Sequence, residues 1–189
     1  MRVIAGQYRS RPLRSLRGMD VRPTADRLRE TLFDVLCGGD PQRLAGSVWL
    51  DLYAGTGAVG IEALSHGAKM VFFAESSKAA AELIAANLKS LGIEIGFEIA
   101  KADVAKAIRQ WEAAGVSADF IFLDPPYRLC DEYGRTVTVL AESKLLLAES
   151  VVITEHEKRF DPGASFGGLE RYRKLEQGDA ALSFYRLRL

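Results

Sequence analysis

Cysteine and histidine each occur only twice in this chain of 189 residues, as Cys37, Cys130, His66 and His156. No Cys-x-x-Cys spacing accompanies them, so a zinc site would lack ligands, no metal is expected, and both thiols read as reduced and structural. No run of 18 apolar residues exists, and the arginine-rich start has no apolar stretch of a secretory signal; a cytoplasmic protein is therefore expected. Internal repeats and low-complexity tracts are absent. Lysine is missing from residues 1 to 30, where eight arginines face Asp20, Asp26 and Glu30. That segment carries +5 and the remainder −5, although the whole chain is neutral. Arginine's planar fork suits phosphate contacts and base stacking, so a polyanionic partner explains the segment better than a solvated charged arm does. With 48% hydrophobic residues, the chain can form one domain with a substantial core.

Two motifs carry chemistry. The apolar run Phe120-Ile121-Phe122-Leu123 reads as a buried strand ending at Asp124, and Pro125-Pro126-Tyr127 follows. Paired prolines forbid further ladder hydrogen bonds and stiffen the backbone, which fixes the Asp124 carboxylate and the Pro125 carbonyl as two acceptors beside an aromatic ring. Such a group suits a planar ligand with an exocyclic NH2. Upstream, Val48-Trp49-Leu50-Asp51-Leu52-Tyr53-Ala54 runs into Gly55-Thr56-Gly57-Ala58-Val59-Gly60, a strand passing through a glycine turn into a helix. The next strand, Met70 to Ala74, ends at Glu75, twenty residues beyond Gly55, where an acid can accept both hydroxyls of a ribose. The glycine loop alone leaves a dinucleotide site open. However, Asp51 would repel a pyrophosphate and attract the ammonium of an amino-acid ligand.

Helical and strand periodicities give the order of elements. A hairpin is expected over 2–6 and 11–16, then a helix from Pro23 to Leu36 with Leu28, Leu32, Val35 and Leu36 on one face and Asp26 and Arg29 toward the other. Strands are expected at 48–52, 70–74, 95–100, 119–123 and 149–154. Helices are expected at 58–66, 77–91, 103–113 and 131–147, and a final hairpin over 170–187 turns at Gly178-Asp179. Strands alternating with helices predict an α/β doubly wound, mainly parallel seven-stranded sheet with a C-terminal antiparallel hairpin and a small N-terminal hairpin-plus-helix extension.

Motif by motif, the chain resembles the class I S-adenosylmethionine-dependent methyltransferases, and within them the RsmD-type family that methylates the exocyclic N2 of a guanine in 16S rRNA. The resemblance is carried by Arg2 to Leu13, by Arg22-Pro23-Thr24-Ala25-Asp26-Arg27-Leu28-Arg29-Glu30-Thr31-Leu32-Phe33, by the glycine loop and by Asp-Pro-Pro-Tyr. It implies a Rossmann-like domain over 46–189 with a basic RNA-binding extension over 1–45. It also implies a cofactor site at Asp51, Tyr53, Gly55, Thr56, Gly57, Glu75 and Asp103, the last meeting the adenine amino group. Asp124, Pro125, Pro126 and Tyr127 would be the catalytic group, and Arg9, Arg11, Arg14 and Arg22 the RNA contacts. The expected substrate is a guanine-966-type site in 16S rRNA, met within a small-subunit particle, with a monomer as the default. An adenine-N6 methyltransferase, a protein-glutamine methyltransferase, a NAD-dependent oxidoreductase and a non-catalytic RNA-binding module are the alternatives.

Overall fold

The computed structural model describes residues 1–15, 23–126 and 130–188. Helix α1 spans Pro23–Cys37, strand β1 Val48–Leu52, α2 Ala58–Ser65, β2 Met70–Ala74, α3 Lys78–Ser90, β3 Phe97–Ala100 and α4 Val104–Ala113. Then come β4 at Ala118–Leu123, α5 at Cys130–Glu142, β5 at Leu146–Glu157, β6 at Ser165–Phe166, β7 at Leu169–Gln177 and β8 at Ala180–Leu187. The strands form one sheet in the order β3-β2-β1-β4-β5-β8-β7-β6. Its first five strands run parallel, and β8, β7 and β6 pair antiparallel.

Side-chain alternation along the strands explains the two layers of helices. Trp49, Val71, Phe73, Phe122, Val151 and Ile153 pack on one face with α1, α2 and α3. Leu50, Leu52, Phe72, Ile121, Leu123 and Val152 point to the other, where α4 and α5 cover them. A period of two thus gives every central strand two buried faces, as a doubly wound sheet requires. Close approach fixes α2 on β2: a Cβ at Gly60 would lie 2.3 Å from Cε1 of Phe73.

The seven expected strands are present, with an eighth: β6, only two residues long, offers too little periodicity to be read from sequence. Strand β3 starts at Phe97 because Gly96 has φ +84° and turns the chain, leaving Ile95 86% exposed. Helix α5 stops at Glu142, where the Ser143 hydroxyl bonds back to the Leu140 carbonyl; β5 is correspondingly longer than expected at both ends. The N-terminal hairpin closes on a single bridge between Arg2 and Pro12.

Arg29 departs from the outward position expected of it. It is buried, its Nε 3.3 Å from Glu62 Oε2, while Nη2 donates to the Arg2 carbonyl at 2.6 Å and to Asp26 Oδ1 at 3.1 Å. Glu62, fully buried on α2, also accepts the backbone N–H groups of Ile4 at 2.9 Å and Ala5 at 2.7 Å. Those charge-assisted bonds offset desolvation and tie the N-terminal arm and α1 to α2. Farther along, Gly6 sits so near α2 that a Cβ would lie 2.0 Å from the Ser65 carbonyl oxygen. Phe33 stacks between Trp49 and His66, with ring centroids 5.3 and 4.9 Å away, and seats α1 against the sheet.

Removing the hub carboxylate would strand Arg29 and two backbone donors. We expect Glu62→Ala to lose about 3 to 5 kcal/mol of stability in urea unfolding, and limited proteolysis to release the first residues of the chain. An unchanged unfolding midpoint would refute this account.

Candidate active site

Strand order reverses outward from β1 and β4, and an open α/β sheet offers its ligand crevice at the carboxyl edge beside such a reversal. Acids gather there. Asp51, the penultimate residue of β1, follows Trp49 by two, Asp124 follows Phe122 by two, and Glu155 follows Ile153 by two, so all three lie on the α1 side of the sheet. Pairing of Leu52 with Leu123 and of Leu123 with Thr154 sets Asp124 between Tyr53 and Glu155. Glu75 and Asp103 follow the ends of β2 and β3.

The turn after β1 is shaped by its backbone. Gly55 and Gly57 have φ of +55° and +75°, and Gly57 caps α2, where a Cβ would come within 3.1 Å of Ile84. Above Gly55 the space is open: a Cβ would find only the Tyr53 carbonyl, at 3.9 Å. The Gly55 N–H donates to Glu75 Oε2 at 2.9 Å and the Ser77 N–H to Oε1 at 2.7 Å, which orients the carboxylate and leaves each oxygen a further lone pair. Tyr53 is left-handed, at φ +63°, a conformation costing about 1 to 3 kcal/mol. Its hydroxyl reaches Glu132 at 3.1 Å and Thr136 at 2.9 Å on α5, and burial pushes its pKa up to about 12. Thr56 offers its carbonyl to the Asn87 amide at 3.0 Å and its hydroxyl to the Met1 sulfur at 3.6 Å.

Burial dominates the electrostatics. Asp51 is 2% exposed, accepts the Gly60 N–H at 2.8 Å, and has its pKa raised to about 8 by desolvation, with Asp124 and Glu75 adding to the shift. It therefore holds the start of α2 from beneath the glycine loop. Half-buried Asp124 is raised to about 7 by desolvation, and Glu155 is raised well above its usual range by burial and by Asp124. Such acids favour ligands that bring N–H donors or positive charge.

Asp103 caps α4 by accepting the Lys106 N–H on Oδ1 at 2.9 Å, which leaves Oδ2 for another donor. The Pro125 carbonyl already receives the buried Tyr133 hydroxyl at 3.3 Å, and Pro126 is exposed. Tyr127 and Arg22 lie outside the described residues. Glu155, Tyr133 and Asn87 were not anticipated. Alternation through Val151, Ile153 and Glu155 was a usable signal for the first; nothing local marks the other two.

The arginines separate. Arg11 donates to the Ser90 carbonyl at the end of α3, and Arg9 occupies the hairpin end seated on Ser65, at the far end of α2. An eight-residue helix puts that end roughly 12 Å from the glycine loop. Arg14 alone of the three is tied beside the loop: Asn87 accepts its N–H at 2.8 Å and donates to its carbonyl at 3.2 Å. All three side chains are exposed. Among the described residues no cluster of His, Cys, Asp and Glu is placed to hold a metal ion, and no helix is long and apolar enough to cross a membrane.

This strand order, with a glycine turn after β1 and acids along the carboxyl edge, defines a class I methyltransferase fold, whose cofactor is S-adenosylmethionine. A solved structure titled "Putative methyltransferase yhhF from Escherichia coli" superposes with a TM-score of 0.82 at 26% identity, covering 100% of this chain and 98% of that one. A family model described as "Conserved hypothetical protein 95" matches residues 1–186. The "Ribosomal RNA small subunit methyltransferase D" of Haemophilus influenzae is 33% identical over 84% of this chain and 79% of its own length. The "Putative rRNA methyltransferase YlbH" of Bacillus subtilis is 29% identical over 100% of both chains. The chain belongs to this family, the RsmD-type family that its motifs resemble.

Asp51 links the site to stability. Unfolded, it ionises near pH 4; folded, it keeps its proton to about pH 8. The native state therefore holds the extra proton in that window, and the stability this gives is complete below about pH 4 and lost as the pH rises through about 8. Asp51→Asn should remove that dependence. Urea midpoints of the wild type should fall relative to those of the variant between about pH 5 and 8; parallel profiles would contradict the assignment.

Proposed function

We propose that this chain transfers a methyl group from S-adenosyl-L-methionine to the exocyclic N2 of a guanine in 16S rRNA, of the guanine-966 type, within a small-subunit particle in the cytoplasm. One observation carries the reading. The half-buried Asp124 carboxylate and the Pro125 carbonyl stand together at the end of β4, beside the strand that enters the glycine turn. In this reading residues 1–45 form the RNA-binding extension on a methyltransferase domain of residues 46–189.

The residues present fit the cofactor. Open space above Gly55 admits a ligand against the backbone, Glu75 retains lone pairs for a cis-diol, and Asp103 retains an oxygen for an amino group. Buried Asp51 favours a cationic ligand end at the glycine turn. When bound, the cofactor supplies an electrophilic methyl group on a sulfonium. Asp124 and the Pro125 carbonyl accept the two N2 hydrogens and aim the nitrogen; orientation of this kind is worth about 7 to 11 kcal/mol of barrier. Tyr133, donating to that carbonyl, holds its direction. As positive charge grows on N2, both acceptors stabilise it, and the released proton leaves to Asp124 or to water. An acid with a pKa of about 7 suits that exchange.

Asp124→Ala is expected to slow methyl transfer roughly 100-fold or more while S-adenosylhomocysteine titration changes by no more than a few fold. Near-normal turnover would remove Asp124 from the reaction. Replacing Arg9, Arg11 and Arg14 together by Ala should weaken RNA binding and flatten its salt dependence by about 0.7 to 0.9 logarithmic units for each phosphate no longer neutralised. Filter binding across a salt series tests this, and an unchanged slope means the RNA is held elsewhere.

A further inference from the structure

Glu155 is the acid of this edge that the methyl transfer leaves without a task. It ends the inward-facing row Val151, Ile153, Glu155 on β5, next to Asp124 across the β4–β5 ladder and opposite Leu182 of β8. The side chain is half-buried, and among the described residues it has no hydrogen bond and no ion pair. Arg29 contributes positive potential but is already committed to Glu62, Asp26 and the Arg2 carbonyl. An acceptor desolvated beside a second carboxylate is costly unless a ligand satisfies it. Asp51, by comparison, has the Gly60 N–H.

Neighbouring strands run about 5 Å apart, so Asp124 and Glu155 leave the ends of β4 and β5 side by side on one face of the sheet. That arrangement matches adjacent donors on one edge of a planar base. Guanine presents N1–H beside its N2 amino group; adenine presents an N1 lone pair beside its N6 amino group. Resting on the guanine reading above, we infer that Glu155 is a specificity-determining residue: it accepts the N1–H of the target guanine while Asp124 and the Pro125 carbonyl take the N2 hydrogens. Against adenine the Glu155 carboxylate meets a lone pair, and the pair of acceptors that suits guanine becomes repulsive. Burial and the Asp124 charge work against ionisation of Glu155, and a sulfonium bound along the same edge works for it.

The experiment uses the full-length enzyme and one 16S rRNA fragment prepared with guanosine, 1-methylguanosine or adenosine at the target position. For the wild type, 1-methylguanosine should lower kcat/KM by roughly 10- to 100-fold. Glu155→Ala should lower the guanosine rate by a similar factor and leave guanosine and 1-methylguanosine within about threefold of each other. Glu155→Gln, whose amide can turn an N–H toward the adenine N1, should raise the adenosine rate relative to the guanosine rate. Titration with S-adenosylhomocysteine checks that each variant is folded; if the Ala variant fails there, the near-isosteric Gln variant decides. Undiminished discrimination in the folded variant overturns the role of Glu155 alone. No transfer to the guanosine fragment by the wild type overturns the guanine reading, and this inference with it.

Discussion

A carboxylate buried on a helix is costly unless donors surround it, and two backbone N–H groups and a guanidinium offset much of that cost at Glu62. Two donors are the consecutive residues Ile4 and Ala5 and the third is Arg29 of α1, so satisfying one charge fixes both ends of the path from the N-terminal arm to α1. Arg29 then extends the constraint by capturing the Arg2 carbonyl and Asp26. Helix α1, on the face of the sheet that also carries Asp51, Asp124 and Glu155, is therefore positioned electrostatically through Arg29 and by Phe33 stacking on Trp49 farther along.

Burial also raises the Glu62 pKa, but at the crevice the acids have fewer donors around them. Asp51, Asp124 and Glu155 are desolvated more than they are compensated, and their raised pKa values record that deficit. A fold selected for stability alone would replace such groups by apolar side chains. In the proposed reading, ligands bring the missing donors and charge to these acids on one side of one sheet edge. The glycine turn adds a second cost, since Tyr53 holds a left-handed backbone while its hydroxyl is anchored on α5.

The central fold was legible because strands with two buried faces are short apolar runs bounded by turns, and β1 and β2 match their expected limits residue for residue. Boundaries drifted where local chemistry competed: Gly96 delayed β3, and Ser143 ended α5 early. The placement of Asp51, Glu75 and Asp124 along the carboxyl edge was recognisable because strand ends and glycines have positional meaning. Arg29 was not, since its burial depends on Glu62, thirty-three residues away, and no local pattern encodes that meeting. The same reason hid Asn87, whose amide joins Arg14 to Thr56.

The bonds that seat the N-terminal arm have a bearing on how the molecule is made. Ile4 and Ala5 wait for a residue 58 and 57 positions later, and Arg14 for one 73 positions later. Loop closure over such spans comes late because entropy must be lost before any contact compensates it. During synthesis this arm leaves the ribosome before α2 and α3 and is fixed only after them. Until α2 and α3 exist, a segment carrying +5 has no carboxylate or amide to dock on.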